Sequence, residues 1–231
     1  MSTTSGAGDP AQPPRLGLFI TFEGPDGSGK STQARLLAER LRHEGYPVLE
    51  TVEPGGTPIS QQIRRILLDP ANGELRPITE LLLMFAARAQ NVEQSVLPAL
   101  AEGKIVVSDR FTDSSIAYQG SGHRLGWEVV LEVDGIACHG LVPDLTLCID
   151  IDTETGLSRA HSRAHHHEMR YEQQGAEFHQ RVRAAYHELA RREPRRFRLI
   201  DGKGSPEQIA ERVWAEVAGV LTKRSAPARS R

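Results

Sequence analysis

The chain predicts an α/β fold: a central parallel sheet of about five strands, covered by helices on both faces as three layers. Two observations predict it. Short apolar runs that read as buried strands alternate with longer stretches whose apolar residues recur at helical spacing. The chemistry-bearing residues follow the ends of those runs, where open α/β sheets place their ligands. Length agrees, since 231 residues can build one such domain with a full core.

The elements follow in order. Gly17 to Phe22 is apolar and stops at Glu23-Gly24, so it reads as the first strand. After a Gly-rich stretch, Ala34, Leu37, Ala38 and Leu41 fall on one helical face, and Gly45 suits the stop. Pro47 to Val52 reads as the second strand. Ile59 to Leu68 reads as a helix with Ile59, Ile63, Ile66 and Leu67 on its apolar face. A further helix is expected after Thr79 as its cap, carrying Leu82, Phe85 and Ala89, with a shorter one over Val92 to Ala101. Ile105 to Ser108 is a strand ending in Asp109-Arg110, Trp127 to Ala137 a helix, and Leu145 to Ile151 a strand. Gln173 to Arg192 carries Phe178, Val182, Tyr186 and Leu189 on one stripe. Arg198 to Ile200 is a last short strand, and Ile209, Val213, Val217 and Leu221 mark the final helix.

The domain is expected over 16–221, between disordered tails at 1–15 and 222–231. The first is rich in Ser, Thr, Gly, Ala and Pro and lacks an apolar signal core. No stretch approaches the ~18 apolar residues of a membrane helix, so no membrane partner is expected. The 28 basic and 30 acidic residues nearly cancel to a formal charge of -2, which argues against a general nucleic-acid binder. Cys138 and Cys148 form neither a metal knuckle nor a redox pair, and buried thiols in a reducing cytosol are the expectation.

Gly24-Pro25-Asp26-Gly27-Ser28-Gly29-Lys30-Ser31 matches G-x-x-x-x-G-K-[ST] between a strand and a helix. This places the chain in the P-loop NTPase three-layer fold. Its glycines let backbone N–H groups converge on phosphate oxygens, and the following helix adds its positive end. Lys30 is expected to reach the transferred phosphate, and Ser31 to ligate Mg²⁺. The loop alone states only that a nucleoside triphosphate binds.

Three pieces suggest an acceptor site. Glu53-Pro54-Gly55-Gly56-Thr57 follows the second strand and either shapes a loop over an acceptor phosphate or is a plain turn. Phe85 and Arg88 lie three apart on a helix, where an aromatic face can stack on a base and a guanidinium can bond its oxygens; a core Phe beside a surface Arg is the commoner pattern. Asp109-Arg110-Phe111-Thr112-Asp113-Ser114-Ser115, then Tyr118-Gln119-Gly120, ends the third strand. Asp109 can hold Mg²⁺ directly or through water and Arg110 can fork onto a phosphate, unless the two form a structural pair.

Taken together, Glu23 to Thr32, Glu-Pro-Gly-Gly-Thr, Phe-x-x-Arg, Asp-Arg-Phe-x-x-Ser-Ser and Tyr-Gln-Gly resemble bacterial thymidylate kinase, in order and spacing, over roughly Leu18 to Leu221. The resemblance implies transfer of the γ-phosphate of ATP to thymidine monophosphate (dTMP), a step in dTTP synthesis, in a cytoplasmic homodimer. It implies that Phe85 stacks on thymine, Arg88 contacts a base carbonyl, Arg110 holds the acceptor phosphate, Ser115 contacts the ring, and Tyr118 packs where a ribose 2′-hydroxyl would sit. Ser114 and Gln119 join the substrate site, and Arg64 stands near the acceptor phosphate. One departure is Val52, where many relatives carry arginine before Glu-Pro-Gly-Gly.

Some relatives carry an arginine inside the phosphate loop, where this chain has Gly27. The resemblance then moves the basic residues to a mobile lid at about 156–172, with Arg159, Arg163 and Arg170 as its catalytic cations. Arg159 and Arg163 share a helical face, as they would on a solvated basic helix. Glu172 is expected to order the lid. His161, His165, His166, His167 and Glu168 raise a metal question, but the pattern specifies no third ligand, and a pH-sensitive exposed segment is the expectation.

Two rivals remain at this stage. One is a kinase for another nucleotide or for a deoxynucleoside; a nucleoside acceptor would want a carboxylate base for its sugar hydroxyl, commonly right after the first strand, and Glu23 stands there. A nucleotide-dependent switch is the other, although no Asn-Lys-x-Asp run for guanine occurs.

Overall fold

Leu18–Glu23 (β1), Val48–Val52 (β2), Ile105–Asp109 (β3), Leu145–Asp150 (β4) and Phe197–Asp201 (β5) pair in the order β2-β3-β1-β4-β5, every pairing parallel. The computed structural model describes residues 16–163, 170–171 and 174–225, without the side chains of 160–163 and 225. The tail at 1–15, the histidines at 165–167, Glu168, Glu172 and residues 226–231 lie outside the described residues.

β1 sits at the centre and is buried along its whole length. Its side chains alternate between two cores, as a pleated strand requires. Leu18, Ile20 and Phe22 pack with Ala34, Leu37 and Leu41 of Lys30–His43 (α1) and with Ile209, Val213 and Val217 of Pro206–Ser225 (α9). Phe19 faces the opposite core, shared by Pro77–Asn91 (α3) and Ala176–Arg192 (α8). On α8 the stripe of Phe178, Val182, Tyr186 and Leu189 is buried as its spacing predicts.

Strand register positions the site. Phe22 and Val52 both pair with Asp109, so β1, β3 and β2 end level with one another. Backbone bonds continue the alignment: Arg110 N–H donates to the Phe22 carbonyl and Glu53 N–H to that of Asp109. The phosphate loop, Arg110 and Glu53 thereby emerge side by side.

Several expectations need correction. On Pro58–Leu68 (α2), Ile59 and Ile66 are 52% and 46% exposed, while Ser60, Leu67 and Leu68 are buried. The Ser60 hydroxyl donates to the Ala87 carbonyl of α3, which turns that side inward. α3 begins at Pro77, a residue suited to a first helical position, so Thr79 lies inside the helix and does not cap it. Its buried side is Leu81, Phe85 and Arg88, and Leu82 is exposed. Helical winding continues from α3 through a wide turn at Val92–Val96 into Leu97–Ala101 (α4), which accommodates Pro98 without its N–H. α9 runs to Ser225, four residues into the expected tail, and Arg224 donates to the Leu16 carbonyl.

Candidate active site

The β1–α1 loop has the left-handed backbone that its glycines predict. Gly24 (φ 136°) and Gly29 (φ 94°) flank it, and a Cβ on Gly24 would stand 2.5 Å from the Ile149 carbonyl oxygen. α1 starts at Lys30 directly after Gly29, with no side chain capping its amides. They are thus free to bind an anion. Lys30 is buried, with Nζ 3.6 Å from Asp26 and donating to the Pro25 carbonyl.

Arg110 follows β3 with φ 75°, a conformation a non-glycine residue holds only when its surroundings impose it. They do. Its guanidinium donates to Asp26 Oδ1 and Ser114 Oγ and lies over the Tyr118 ring at 4.8 Å. The Tyr118 hydroxyl donates to the other Asp26 oxygen at 2.9 Å. Burial pushes the Asp26 carboxyl upward, but Arg110, Lys30 and the Tyr118 hydroxyl outweigh it and hold the group below the usual range. Asp26 therefore ties the phosphate-loop cation to the strand-end cation.

Glu23 is fully buried behind this cluster. It accepts from the Phe111 N–H at 2.8 Å and from the Ser114 and Tyr186 hydroxyls. Burial, then the charge of Asp113, push its carboxyl up to about 8. It is not among the residues that line the cavity described next, which counts against the nucleoside-kinase rival that needs it as a base.

A cavity of about 220 Å³ opens between these groups and the second strand's loop. Asp26, Lys30, Ser31, Asp109, Arg110, Ser114, Ser115, Tyr118 and Gln119 line one side, and Glu53, Pro54, Arg64 and Arg88 the other. Glu53 accepts from Arg88 Nε and Asn91 Nδ2, and Arg64 donates to the Pro54 carbonyl. Gly56 is obligatory in this turn, because a Cβ there would lie 2.3 Å from Asn91 Oδ1. Val52, in place of the arginine of relatives, is part of the wall.

Two groups of the cavity wall are left without a hydrogen-bond partner among the described residues. Arg88 gives Nε to Glu53 and Nη2 to the Phe111 carbonyl, while Nη1 is buried with no hydrogen-bond partner among the described residues. Asp109 Oδ1 is likewise buried and unpaired. A hard carboxylate oxygen with the Ser31 hydroxyl on the same wall fits an oxygen-seeking cation such as Mg²⁺.

Some expected residues stand elsewhere. Phe85 is buried in the core with the Arg88 guanidinium 4.4 Å over its ring, and it is Met84 that lines the cavity. Helical neighbours at both i+3 and i+4 could have indicated Met84 as readily as Phe85. Arg170 is drawn away from the cavity: it donates to Glu80 and to the Leu67 carbonyl and is 3% exposed. Arg159 is carried on Thr153–Arg163 (α7) and does not bound the cavity, and the Arg163 side chain lies outside the described residues. Gly24, Pro25, Gly27, Ser28, Gly29 and Thr32 form the loop and first turn beneath the wall. Leu68 and Tyr171 also line the cavity, and sequence reading missed both. Among the described residues no His, Cys, Asp and Glu group forms a metal cluster, and no helix is long and apolar enough to cross a membrane.

Residues 22–213 match the family model described as thymidylate kinase. The chain is 50% identical over 206 residues to the thymidylate kinase of Pelobacter propionicus, covering 87% of this chain and 94% of that one. It is 49% identical over 210 residues to that of Thermomicrobium roseum, covering 90% and 98%. In three dimensions it is similar to the crystal structure of thymidylate kinase from Ehrlichia chaffeensis, with a TM-score of 0.72 and 32% identity over 87% of this chain and 98% of that one.

Proposed function

Since the chain belongs to the thymidylate kinase family, we propose that it transfers the γ-phosphate of ATP to dTMP, giving dTDP and ADP. One observation carries the site assignment. Asp26 joins Lys30 of the phosphate loop to Arg110 on the wall of the acceptor cavity, so donor and acceptor cations stand within one ion-pair cluster.

The chemistry needs that cluster. Two polyanions must meet in line, and one pair of unit charges 4 Å apart repels by about 4 kcal/mol at a surface-like dielectric. Lys30 and Arg110 offset this repulsion from both sides of the transferring group. Asp26 orients Arg110 and needs no role in proton transfer. The attacking phosphate oxygen, with a second pKa of about 6, is already largely deprotonated at neutral pH. Asp109 and Ser31 would hold Mg²⁺, which neutralises charge on the outer phosphates when bound. Arg159, Arg163 and Arg170 remain the proposed lid cations, although Arg170 would have to leave Glu80 to serve as one.

Base recognition falls to the far end of the cavity. The unpaired Arg88 Nη1 is a donor for a base carbonyl, Gln119 and Ser115 offer polar contacts, and Met84 and Leu68 give an apolar surface for the thymine methyl. Tyr118 stands where the sugar would lie, and Arg64 near the acceptor phosphate.

A homodimer is part of the same reading. Ile59 and Ile66 of α2, Ile78 and Leu82 of α3, and Leu131 and Ile136 of Trp127–Ala137 (α6) are exposed on helices packed side by side, an apolar surface suited to a second copy. The free, buried Cys138 and Cys148 suit the reducing cytoplasm. The test is an ATP-coupled assay across nucleoside monophosphates. Turnover is expected to be fastest with dTMP, and faster turnover of thymidine itself would sink the assignment.

A further inference from the structure

Glu80, in the first turn of α3, is completely buried and bonds Gln119 and Tyr171 of the cavity wall. It collects side chains from distant parts of the chain. Gln119 Nε2 donates to it at 2.7 Å, the Tyr171 hydroxyl at 2.8 Å and Arg170 Nη2 at 2.5 Å. His123 Nε2 lies 3.2 Å from the same carboxylate. Burial pushes the carboxyl upward, but His123, Arg170 and Gln119 outweigh it and hold it at about 2, so it is ionised across the neutral range.

An ionised carboxylate only accepts hydrogen bonds. The Gln119 amide can present either end to a neighbour, and Glu80 permits only its nitrogen. The Tyr171 hydroxyl donates to Glu80 and accepts from the same nitrogen at 3.2 Å. Glu80 and Tyr171 thereby hold the amide nitrogen from one side. Gln119 lines the cavity, and its carbonyl oxygen is what it has left to offer there. The Ser115 hydroxyl on the same wall can donate or accept, so it cannot separate two ligands by hydrogen-bond sense.

We propose that Glu80 is a positioning residue that locks the Gln119 amide with its oxygen toward the base, selecting pyrimidines with an N–H at position 3 over those with a bare ring nitrogen. Thymine and uracil carry that N–H and cytosine does not. Arg88 and Gln119 then read adjacent groups on one base edge, a carbonyl by a donor and an N–H by an acceptor. The proposal rests on the reading that the base occupies the cavity beside Arg88.

The test compares kcat/KM for dUMP and dCMP with ATP, two acceptors that both lack the methyl and differ on this edge. Gln119→Leu is expected to lower the dUMP preference by about tenfold or more. Glu80→Gln should lower it by a similar factor, through KM for dUMP more than kcat, and Glu80→Asp should retain more of it. In the Gln119→Leu background, Glu80→Gln should change the ratio no further. Should Glu80→Gln prove unstable by circular dichroism, Tyr171→Phe serves, because it removes the weaker of the two acceptors that hold the amide nitrogen and should lower the ratio by a smaller factor. Equal losses on both substrates with the ratio intact would overturn the positioning role. So would an undiminished effect of Glu80→Gln in the Gln119→Leu background. If Gln119→Leu itself leaves the ratio unchanged, the location of the base is wrong and the proposal falls with it.

Discussion

Two fully buried glutamates hold side chains of the cavity wall, Glu23 that of Ser114 and Glu80 that of Gln119, and their carboxyls are pushed in opposite directions. Glu23, at the phosphate end, is surrounded by an amide and two hydroxyls, with Asp113 near, and its carboxyl is pushed up to about 8. Glu80, at the base end, meets Arg170 and His123 together with Gln119 and is held at about 2. Burial is common to both, so the kind of partner decides which of them carries a charge. Asp26 stands directly against Lys30 and Arg110, while Glu23, its carboxyl pushed up to about 8, serves as a hydrogen-bonding strut behind them. The base end uses a fixed anion to orient neutral readers.

That contrast can be broken first by Glu80→Gln and Glu23→Gln side by side. Replacing Glu80 leaves Arg170 buried without its anion and is expected to cost about 3–5 kcal/mol in urea unfolding. Replacing Glu23, whose carboxyl is pushed up to about 8 and which has hydrogen bonds but no ion pair to lose, should cost less, about 1–2 kcal/mol. Equal losses would mean that the two sites do not differ in charge.

The catalytic counterpart is Arg110→Ala. Removing the guanidinium that Asp26 holds at the strand end should lower kcat/KM for dTMP by about a hundredfold to a thousandfold, with the thermal midpoint measured alongside. A loss under about tenfold would move the acceptor phosphate away from Arg110.

The pH dependence of stability sharpens the comparison further. Glu23 keeps a proton in the native state that the unfolded chain releases above its ordinary value of 4.5. Its contribution is complete below that value and is lost as pH rises from 4.5 through about 8. Glu80 behaves inversely: its contribution is present above 4.5 and is lost as pH falls from there toward about 2. Denaturant midpoints of wild type and Glu23→Gln across pH 5 to 8 should diverge, with the variant flatter; parallel curves would show that Glu23 is ionised throughout.

The smallest expected effect concerns the methyl. An apolar notch is worth only about 1–3 kcal/mol, so dUMP should be a poor but real acceptor, and Met84→Ala should narrow the preference for dTMP severalfold. Equal kcat/KM for dTMP and dUMP in the wild type would remove the methyl contact.

The phosphate loop and the Asp109-Arg110 run were legible because each is a contiguous stretch. Its spacing alone sets strand, turn and helix, and parallel pairing then brings the strand ends level. Helix phase was less legible. Apolar residues on two sides of α2 and α3 give no sign of which side meets the core. That ambiguity exposed Ile59 and Leu82 and exchanged Phe85 for Met84 on the cavity wall.

Local residue order was therefore enough to announce a phosphate-loop α/β domain with its polar residues gathered at the strand ends, because glycine conformation, helix starts and strand periodicity are short-range properties. The protonation of Glu23, the pairing of Glu80 with Arg170 across 90 positions, and the orientation of Gln119 came only with folding. Desolvation and ion pairing depend on which distant side chains are packed within a few ångströms of a group.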